Sequence, residues 1–193
     1  ENINKIYSTL LYMKRGWNKK GWFIRDKIGQ FYLISAIILA AIIMSIVVVS
    51  NYSKKQGYAD LNDLKEELQI ESAKVLDYGI SNSLSQSAMN QQLKDFSQIY
   101  IDMESRDKNL YFVFGNQNNI TLKGYQNTNH AVSLDSTSVT SSAGEFLGSI
   151  DPVGSSTTLR IDENAYIFAL KNGENFYFVI SREIEDEEYV VTG

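Results

Sequence analysis

The sequence predicts an α+β protein with an N-terminal transmembrane helix, a long amphipathic helix after it, and a C-terminal domain of mainly antiparallel β-sheet packed on the helix. Three observations predict this class. The stretch Phe31–Ser50 is apolar and uncharged, residues 58–103 repeat apolar side chains at helical spacing, and short β-type runs begin at Leu110. The predicted segments are 1–29, a basic cytoplasmic segment or leader; 30–51, the transmembrane helix; 52–104, an extracytoplasmic helical region; and 105–193, an extracytoplasmic β domain.

The apolar stretch is long enough to cross a bilayer. Its twenty residues include no charge, glycine or proline, and twelve of them are Leu, Ile, Val or Phe. A helix rises about 1.5 Å per residue, so this length matches the roughly 30 Å hydrocarbon core. Each of the twelve favours insertion by about 0.3 to 0.6 kcal/mol near the bilayer centre. A membrane span is expected rather than a core helix, because the mostly polar remainder of the chain is too small to cover it.

Charge is distributed unevenly about this stretch. Residues 1–30 carry seven Lys/Arg and two acidic residues, a net charge of +5, whereas residues 51–193 carry a net charge of −10. Short basic flanks stay on the cytoplasmic side. The chain is therefore predicted to be a single-pass protein of the cell membrane, with a cytoplasmic N-terminus and an extracytoplasmic C-terminal domain. An uncleaved anchor fits better than a cleaved secretory signal, whose apolar core has about 7 to 15 residues.

Residues 52–104 are predicted to form one long helix or two abutting helices. Apolar residues recur every three or four positions on both sides of Gly79–Ser87. Helix propensity is weak in that short segment, so we expect a kink or a break there. The apolar stripe favours packing on the chain's own sheet over coiled-coil dimerisation, because its heptads are interrupted.

The β domain is expected to begin with a pair of strands. Leu110–Phe114 and Ile120–Tyr125 flank an Asn-rich turn and should pair with each other. The Ser/Thr/Gly-rich stretch 133–158 is interpreted as a mobile loop region. Short β pieces around Val139 and Phe146 are the alternative.

The clearest turn signal is Asn172-Gly173. It separates Ala165–Lys171 from Glu174–Ile180, so the sequence predicts a two-residue β-hairpin with a type I′ turn. In that register Ile167 faces Phe178. Both faces of the hairpin are apolar, so its strands are expected to be central and covered on both sides.

Residues able to support chemistry form no catalytic motif. His130 is the only histidine, and although Ser133 and Asp135 are close in sequence, no G-x-S-x-G elbow surrounds a serine. The acidic run 183–188 lacks the calcium-loop pattern and favours a solvated turn. The absence of cysteine excludes disulfides, and the acidic C-terminal part would repel nucleic acid. We expect no enzymatic activity, cofactor, metal, nucleic-acid partner or small-molecule substrate.

Two glycosylation patterns and one packing pattern remain. Asn119-Ile-Thr121 lies in a predicted turn, whereas Asn51-Tyr-Ser53 lies next to the membrane, so Asn119 is the better candidate than Asn51. Small residues four positions apart favour helix packing in the span. These are Ala36 with Ala40 and Ala41 with Ser45. The predicted partners are the lipid bilayer and, through the transmembrane helix or the β domain, further copies of this chain.

The junction before the apolar stretch resembles the start of archaeal type IV pilin-like proteins with class III signal peptides. In these proteins a basic leader ends at Gly and a Gln can open the mature chain, as in Lys27-Ile-Gly29 followed by Gln30. The resemblance implies leader processing between Gly29 and Gln30. Two positions depart from the pattern. Ile34 replaces the usual fifth-position Glu, which neutralises a neighbouring subunit's amine during assembly, and Ile28 stands where the peptidase usually meets Lys or Arg.

The remainder of the chain shows a broader resemblance. Leu110–Gly115 and Glu174–Ile180 are similar to segments of an uncharacterised family of single-span proteins from small-genome archaea. We expect a non-enzymatic, membrane-anchored cell-surface protein of pilin-like architecture, whose outward β domain makes assembly or adhesion contacts. The alternative is a monomeric anchored domain that binds a ligand or partner and does not polymerise. An extracytoplasmic hydrolase ranks third, because no nucleophile and base are paired in the sequence.

Overall fold

A computed structural model describes the backbone at residues 20–184 and 187–193, and the side chains of these residues except 20–30, 53 and 54. Most of the predicted basic segment 1–29 therefore lies outside the described residues. The chain divides into two units, one ending at Tyr52 and the other comprising Ser53–Gly193.

The described part of the first unit is helical and belongs to helix α1 (Lys20–Ser81). No Gly or Pro occurs between Phe31 and Tyr52, so no strong helix breaker interrupts this part of the sequence. Its apolar side chains are exposed from Phe31 to Val49, and this part has a mean hydropathy of 2.9 with none of it buried. Among the described residues, one helix near the N-terminus is thus long and apolar enough to cross a membrane, as the sequence predicts.

The helical region is interrupted where the sequence predicts it. Helix α1 ends at Ser81 and helix α2 spans Gln86–Glu104. Between them Ser83 has a φ of 49°, a left-handed conformation that ends a helix. Ser85 then caps α2, because its hydroxyl oxygen accepts a hydrogen bond from the Ala88 N–H. The predicted break is confirmed, and the helices are two.

In the part of the chain that the structure describes, nine strands follow in two antiparallel sheets. They are β1 Asn109–Gly115, β2 Ile120–Gln126, β3 Val132–Leu134, β4 Thr137–Thr140, β5 Gly144–Ile150, β6 Ser156–Ile161, β7 Asn164–Ala169, β8 Asn175–Ile184 and β9 Glu187–Thr192. The order is β5-β2-β1-β8-β9 in the five-stranded sheet and β4-β3-β6-β7 in the four-stranded sheet. The α+β class with a C-terminal antiparallel domain is confirmed, as is the pairing of β1 with β2.

The stretch predicted as a mobile loop region is instead mostly strand. It contains β4 and β5 and the start of β6. The prediction was wrong because it assumed that every strand is rich in apolar residues. β4 and β5 are edge strands, and in β5 half-buried residues alternate with exposed ones, so Ser, Thr and Gly are tolerated there. The alternative of strands around Val139 and Phe146 describes the structure.

The predicted hairpin across Asn172-Gly173 is also wrong. Strand β7 pairs with β6, and β8 pairs with β1 and β9, so the turn connects the two sheets. Gly173 has a φ of 94°, but Asn172 does not have the positive φ of a type I′ turn. Strand β7 is an edge strand that leaves Ile167 73% exposed, whereas Phe178 is buried.

Hydrophobic side chains form two clusters that share strand β1. Leu110, Phe112 and Phe114 belong to the first cluster, whereas Tyr111 and Val113 belong to the second. Side chains alternate between the two faces of a strand, so the five-stranded sheet is covered on both faces. The second cluster includes residues of the four-stranded sheet, Leu134 and Leu159 among them. The first also contains residues of α1 and α2: Leu61, Leu64, Leu68, Met89, Leu93, Tyr100 and Ile101.

Candidate functional site

A groove of about 640 Å³ lies between the N-terminal half of α2 and the strands β2 and β5. We refer to it as the polar groove, because hydroxyl and amide side chains dominate its lining. They include Ser85, Asn90, Gln91, Asn119, Thr121 and Ser149. Lys94 is its one charged lining residue, and Leu147, which is 51% exposed, is its exposed apolar one.

Secondary structure fixes the walls of the polar groove. On α2, Asn90 and Lys94 are four positions apart and therefore share one face of the helix. Opposite them Thr121 of β2 pairs in register with Ser149 of β5, and their hydroxyl oxygens are 3.2 Å apart. The side-chain oxygen of Asn90 is enclosed and accepts no hydrogen bond from the described residues. The groove therefore offers donors and acceptors from a helix and a sheet at once.

Asn119 lies in the turn before β2, as the sequence predicts. Asn116 holds this turn, because its side-chain oxygen accepts hydrogen bonds from the backbone N–H groups of Asn118 and Asn119. The side-chain amide of Asn119 donates to Asp151 at 3.3 Å. Asn51, in contrast, is an exposed residue within α1. Glycosylation of Asn119 or Asn51 stays a prediction, with Asn119 in the turn context that suits an acceptor.

The residues predicted for processing and helix packing all lie in α1. The backbone of Gly29 and Gln30 is helical. The small side chains Ala36, Ala40, Ala41 and Ser45 are exposed. The Ser45 hydroxyl donates to the Ala41 carbonyl at 2.7 Å, so its hydrogen-bonding capacity is met within the helix. Leader processing and contact between copies stay predictions.

His130 is hydrogen-bonded to residues other than Ser133 and Asp135, its neighbours in sequence. Its Nε2 is 2.6 Å from the Thr128 hydroxyl, and its Nδ1 is 2.6 Å from Asp162 Oδ2. The other Asp162 oxygen accepts the Ala131 N–H at 2.8 Å. The hydrogen bond from His130, followed by that from Ala131, lowers the pKa of Asp162 below its ordinary value of 3.8. Ser133 and Asp135 are not its partners in these hydrogen bonds.

The order of these three side chains matches that of a nucleophile, a base and an orienting acid. Their setting differs from that of a hydrolase. Asp162 is 49% exposed, and the adjoining cavity of about 230 Å³ is also lined by Glu183 and Glu188. Two carboxylates oppose the negative charge that develops on an acyl substrate. The arrangement instead ties the β2–β3 connection to the turn between β6 and β7.

An ionic cluster around the buried Lys108 joins α1, the end of α2 and β8. The Lys108 side chain is only 7% exposed, and its Nζ lies 2.7 Å from Glu104 and 3.3 Å from Asp60. Arg182 contacts Asp60 at 3.1 Å and also pairs with Asp107. Burial lowers the pKa of Lys108, but the hydrogen bond to Glu104 and the nearby aspartates outweigh it, so the pKa is raised. The described residues include no group of three His, Asp or Glu placed to hold a metal ion.

Compared with protein-family models, with curated proteins and with solved structures, the chain gave no match in any of the three. Its function is therefore inferred from its own residues and their geometry.

Proposed function

We propose that this chain is a non-enzymatic, membrane-anchored cell-surface protein of pilin-like architecture, with its β domain outside the membrane. The observation that carries the proposal is the continuous exposure of apolar side chains from Phe31 to Val49. A monomeric soluble protein rarely exposes an apolar surface of this extent, whereas a lipid bilayer covers it without cost.

Charge supports the proposed orientation. The basic residues concentrate before the apolar stretch and the acidic excess follows it. The positive side then lies in the cytoplasm next to anionic lipid, and the acidic domain lies outside. The type IV pilin-like leader junction at Gly29 and Gln30 agrees with this direction.

The pilin-like arrangement is supported by the first hydrophobic cluster. It groups Leu61, Leu64 and Leu68 of α1 with Phe112 of β1. We infer that the five-stranded sheet packs on the helices through these side chains, as a pilin head packs on its helix. Small residues of the span then supply the contacts through which copies assemble.

The second candidate is a monomeric anchored domain that binds a ligand. The polar groove favours it, because a volume of about 640 Å³ is within the range of small-molecule sites. This candidate needs the same membrane anchor but no contacts between copies.

Crosslinking in native membranes separates the two. The pilin-like protein should give a ladder of multimers that Ala40→Ile weakens, because a larger side chain holds neighbouring helices apart. Ser35→Ile adds a similar bulk on the opposite face of the helix from these small residues and should leave the ladder unchanged. Monomers alone would favour the second candidate, and mass spectrometry of the same sample shows whether the mature chain begins at Gln30.

A further inference from the structure

We propose that the polar groove is a binding site for a neutral carbohydrate. The inference adds a ligand class to the proposed surface function. The inference rests on the proposed function in one respect, since the groove meets extracellular sugars only if the β domain lies outside the cell. The choice of carbohydrate as the ligand class rests on the side chains of the groove alone.

The lining of the groove has the hydrogen-bonding character of a sugar site. Each sugar hydroxyl both donates and accepts, and so do the Ser and Thr hydroxyls and the Asn and Gln amides of the groove. Thr121 and Ser149 present two hydroxyls side by side from the sheet. Gln91 and Asn90 present amides from α2 on the opposite wall. A ligand that lies between them therefore needs hydroxyls on both of its edges.

The groove offers one charged side chain and one exposed apolar side chain. Among the described residues Lys94 is its one charged lining residue, so a phosphate or a dicarboxylate would meet a single cationic side chain there, besides the N-terminal N–H groups of α2. A lipid chain would meet polar side chains on both walls, since Leu147 is the exposed apolar residue and Phe114 is 99% buried. Leu147 offers an aliphatic surface that fits the C–H face of one sugar ring.

Asn90 supplies a separate observation. It lines the groove, and its enclosed side-chain oxygen accepts no hydrogen bond from the described residues. Buried acceptors are normally satisfied. This oxygen has almost no accessible surface, so a bound hydroxyl donor would supply the missing hydrogen bond only if the Asn90 side chain turned toward the groove.

The same chemistry has two sources. Asn119 both lines the groove and heads the glycosylation pattern Asn119-Ile-Thr121. The occupant is then either the first sugars of a glycan on Asn119 itself or a carbohydrate from another molecule. Protein from a host without N-glycosylation, compared with protein from native membranes, distinguishes the two sources.

The test uses the full chain in lipid nanodiscs. Saturation-transfer NMR and calorimetry measure binding of glucose, galactose, mannose, N-acetylglucosamine, maltose and cellobiose. We expect at least one of them to bind. Thr121→Val removes the glycosylation pattern as well as one hydroxyl, so the variants are compared in protein from the host without N-glycosylation. There the loss of the hydroxyl should weaken binding by about tenfold. Thr158→Val is the matched control, since Thr158 is a half-buried strand residue outside the groove lining. Thermal unfolding of both variants confirms that they fold.

Each outcome decides the proposal. Binding to both preparations indicates an external carbohydrate, and binding only to the unglycosylated protein indicates the glycan of Asn119. The proposal is overturned if no sugar binds to the unglycosylated protein, or if Thr121→Val and Thr158→Val weaken binding equally. Binding of a neutral Gly/Ser peptide without any sugar overturns it too. Membrane insertion and assembly are read by fractionation and crosslinking, so their failure is separate from failure of sugar binding.

Discussion

Lys108 and Lys74 make ion pairs of the same length but in different surroundings. Each Nζ lies 2.7 Å from a glutamate, which is four positions earlier for Lys108 and three positions earlier for Lys74. The Lys74 side chain is 65% exposed, whereas that of Lys108 is 7% exposed. Solvent screens the ion pair of Lys74 but hardly reaches Lys108. Burial therefore makes the ion pair of Lys108 the one that matters for stability.

Lys108→Met should therefore lower the free energy of unfolding by about 2 kcal/mol. This loss is smaller than that expected for a fully enclosed ion pair, because the surrounding carboxylates are partly exposed. Lys74→Met should change stability by no more than about 0.5 kcal/mol. Urea unfolding of both variants measures the difference. Equal effects of the two substitutions would contradict the ionic cluster.

The hydrogen bond between His130 and Asp162 predicts how the stability of the protein depends on pH. The pKa of Asp162 is lowered in the folded protein, so its ionised form stabilises the fold above its ordinary value of 3.8. That contribution is lost as the pH falls through the lower, folded-state pKa. The stability difference between the wild type and Asp162→Asn should therefore shrink below pH 3.8.

Asparagine suits this substitution because Asp162 has a φ of 50°, which Asn tolerates. Glu163→Gln, in the same turn, is the control and should have the smaller effect. A difference for Asp162→Asn that stays constant from neutral pH to the end of the acid range would rule out the charge contribution.

Neither of these clusters was predicted from the sequence. Thr128 is two positions from His130, but Asp162 is 32 positions away and meets it only because β3 pairs with β6. Lys108 and Asp60 are likewise far apart in sequence. The sequence indicates which residues can form ion pairs, whereas the topology decides which of them meet.

At the scale of the elements, features set by local sequence were predictable. The break between α1 and α2 follows from weak helix formers and a serine that can cap. The β1–β2 hairpin follows from two β-type runs around a short turn. The Asn172-Gly173 signal does mark a bend in the chain between β7 and β8. The prediction was wrong about which strands pair, because β7 pairs with β6 and β8 pairs with β1 instead of with each other.

Ser85 provides a test of the helix break. Ser85→Ala should cost about 1 kcal/mol, because the first turn of α2 loses the acceptor for the Ala88 N–H. Ser85→Asp should keep most of that stability. Ser87→Ala, also at an exposed serine of the first turn, is the control and should change little. Chemical denaturation provides the values, and a larger loss for Ser87→Ala would argue against this cap.

Strands β7 and β8 provide a test of the sheet assignment. Phe178→Ala should destabilise by about 3 to 5 kcal/mol, since it empties a buried position of the five-stranded sheet. Ile167→Ala should stay within about 0.5 kcal/mol, since its side chain is on an exposed edge strand. Comparable losses at both positions, measured by urea unfolding, would favour the hairpin predicted from sequence instead.

At the scale of the whole molecule, the sequence predicts one apolar helix and a C-terminal antiparallel domain, and both are present. Both features can be predicted from the sequence alone, because they follow from the period and length of its hydrophobic runs. The polar groove was not predicted, because its walls come from three distant segments and its residues are common surface types. The Ser/Thr-rich stretch predicted a mobile loop region, with short strands around Val139 and Phe146 as the alternative.

We propose that the helix crosses the membrane with the β domain outside. The chain has no cysteine, so single-cysteine variants can be labelled with a membrane-impermeant maleimide without background. In intact cells Ser141→Cys, at an exposed position between β4 and β5, should be labelled. Ser8→Cys, which is present only in chains that keep residues 1–29, should react only after permeabilisation. Ile43→Cys, within the span, should resist the reagent in both cases. Labelling of Ser8→Cys in intact cells with protection of Ser141→Cys, or ready labelling of Ile43→Cys, would contradict the account.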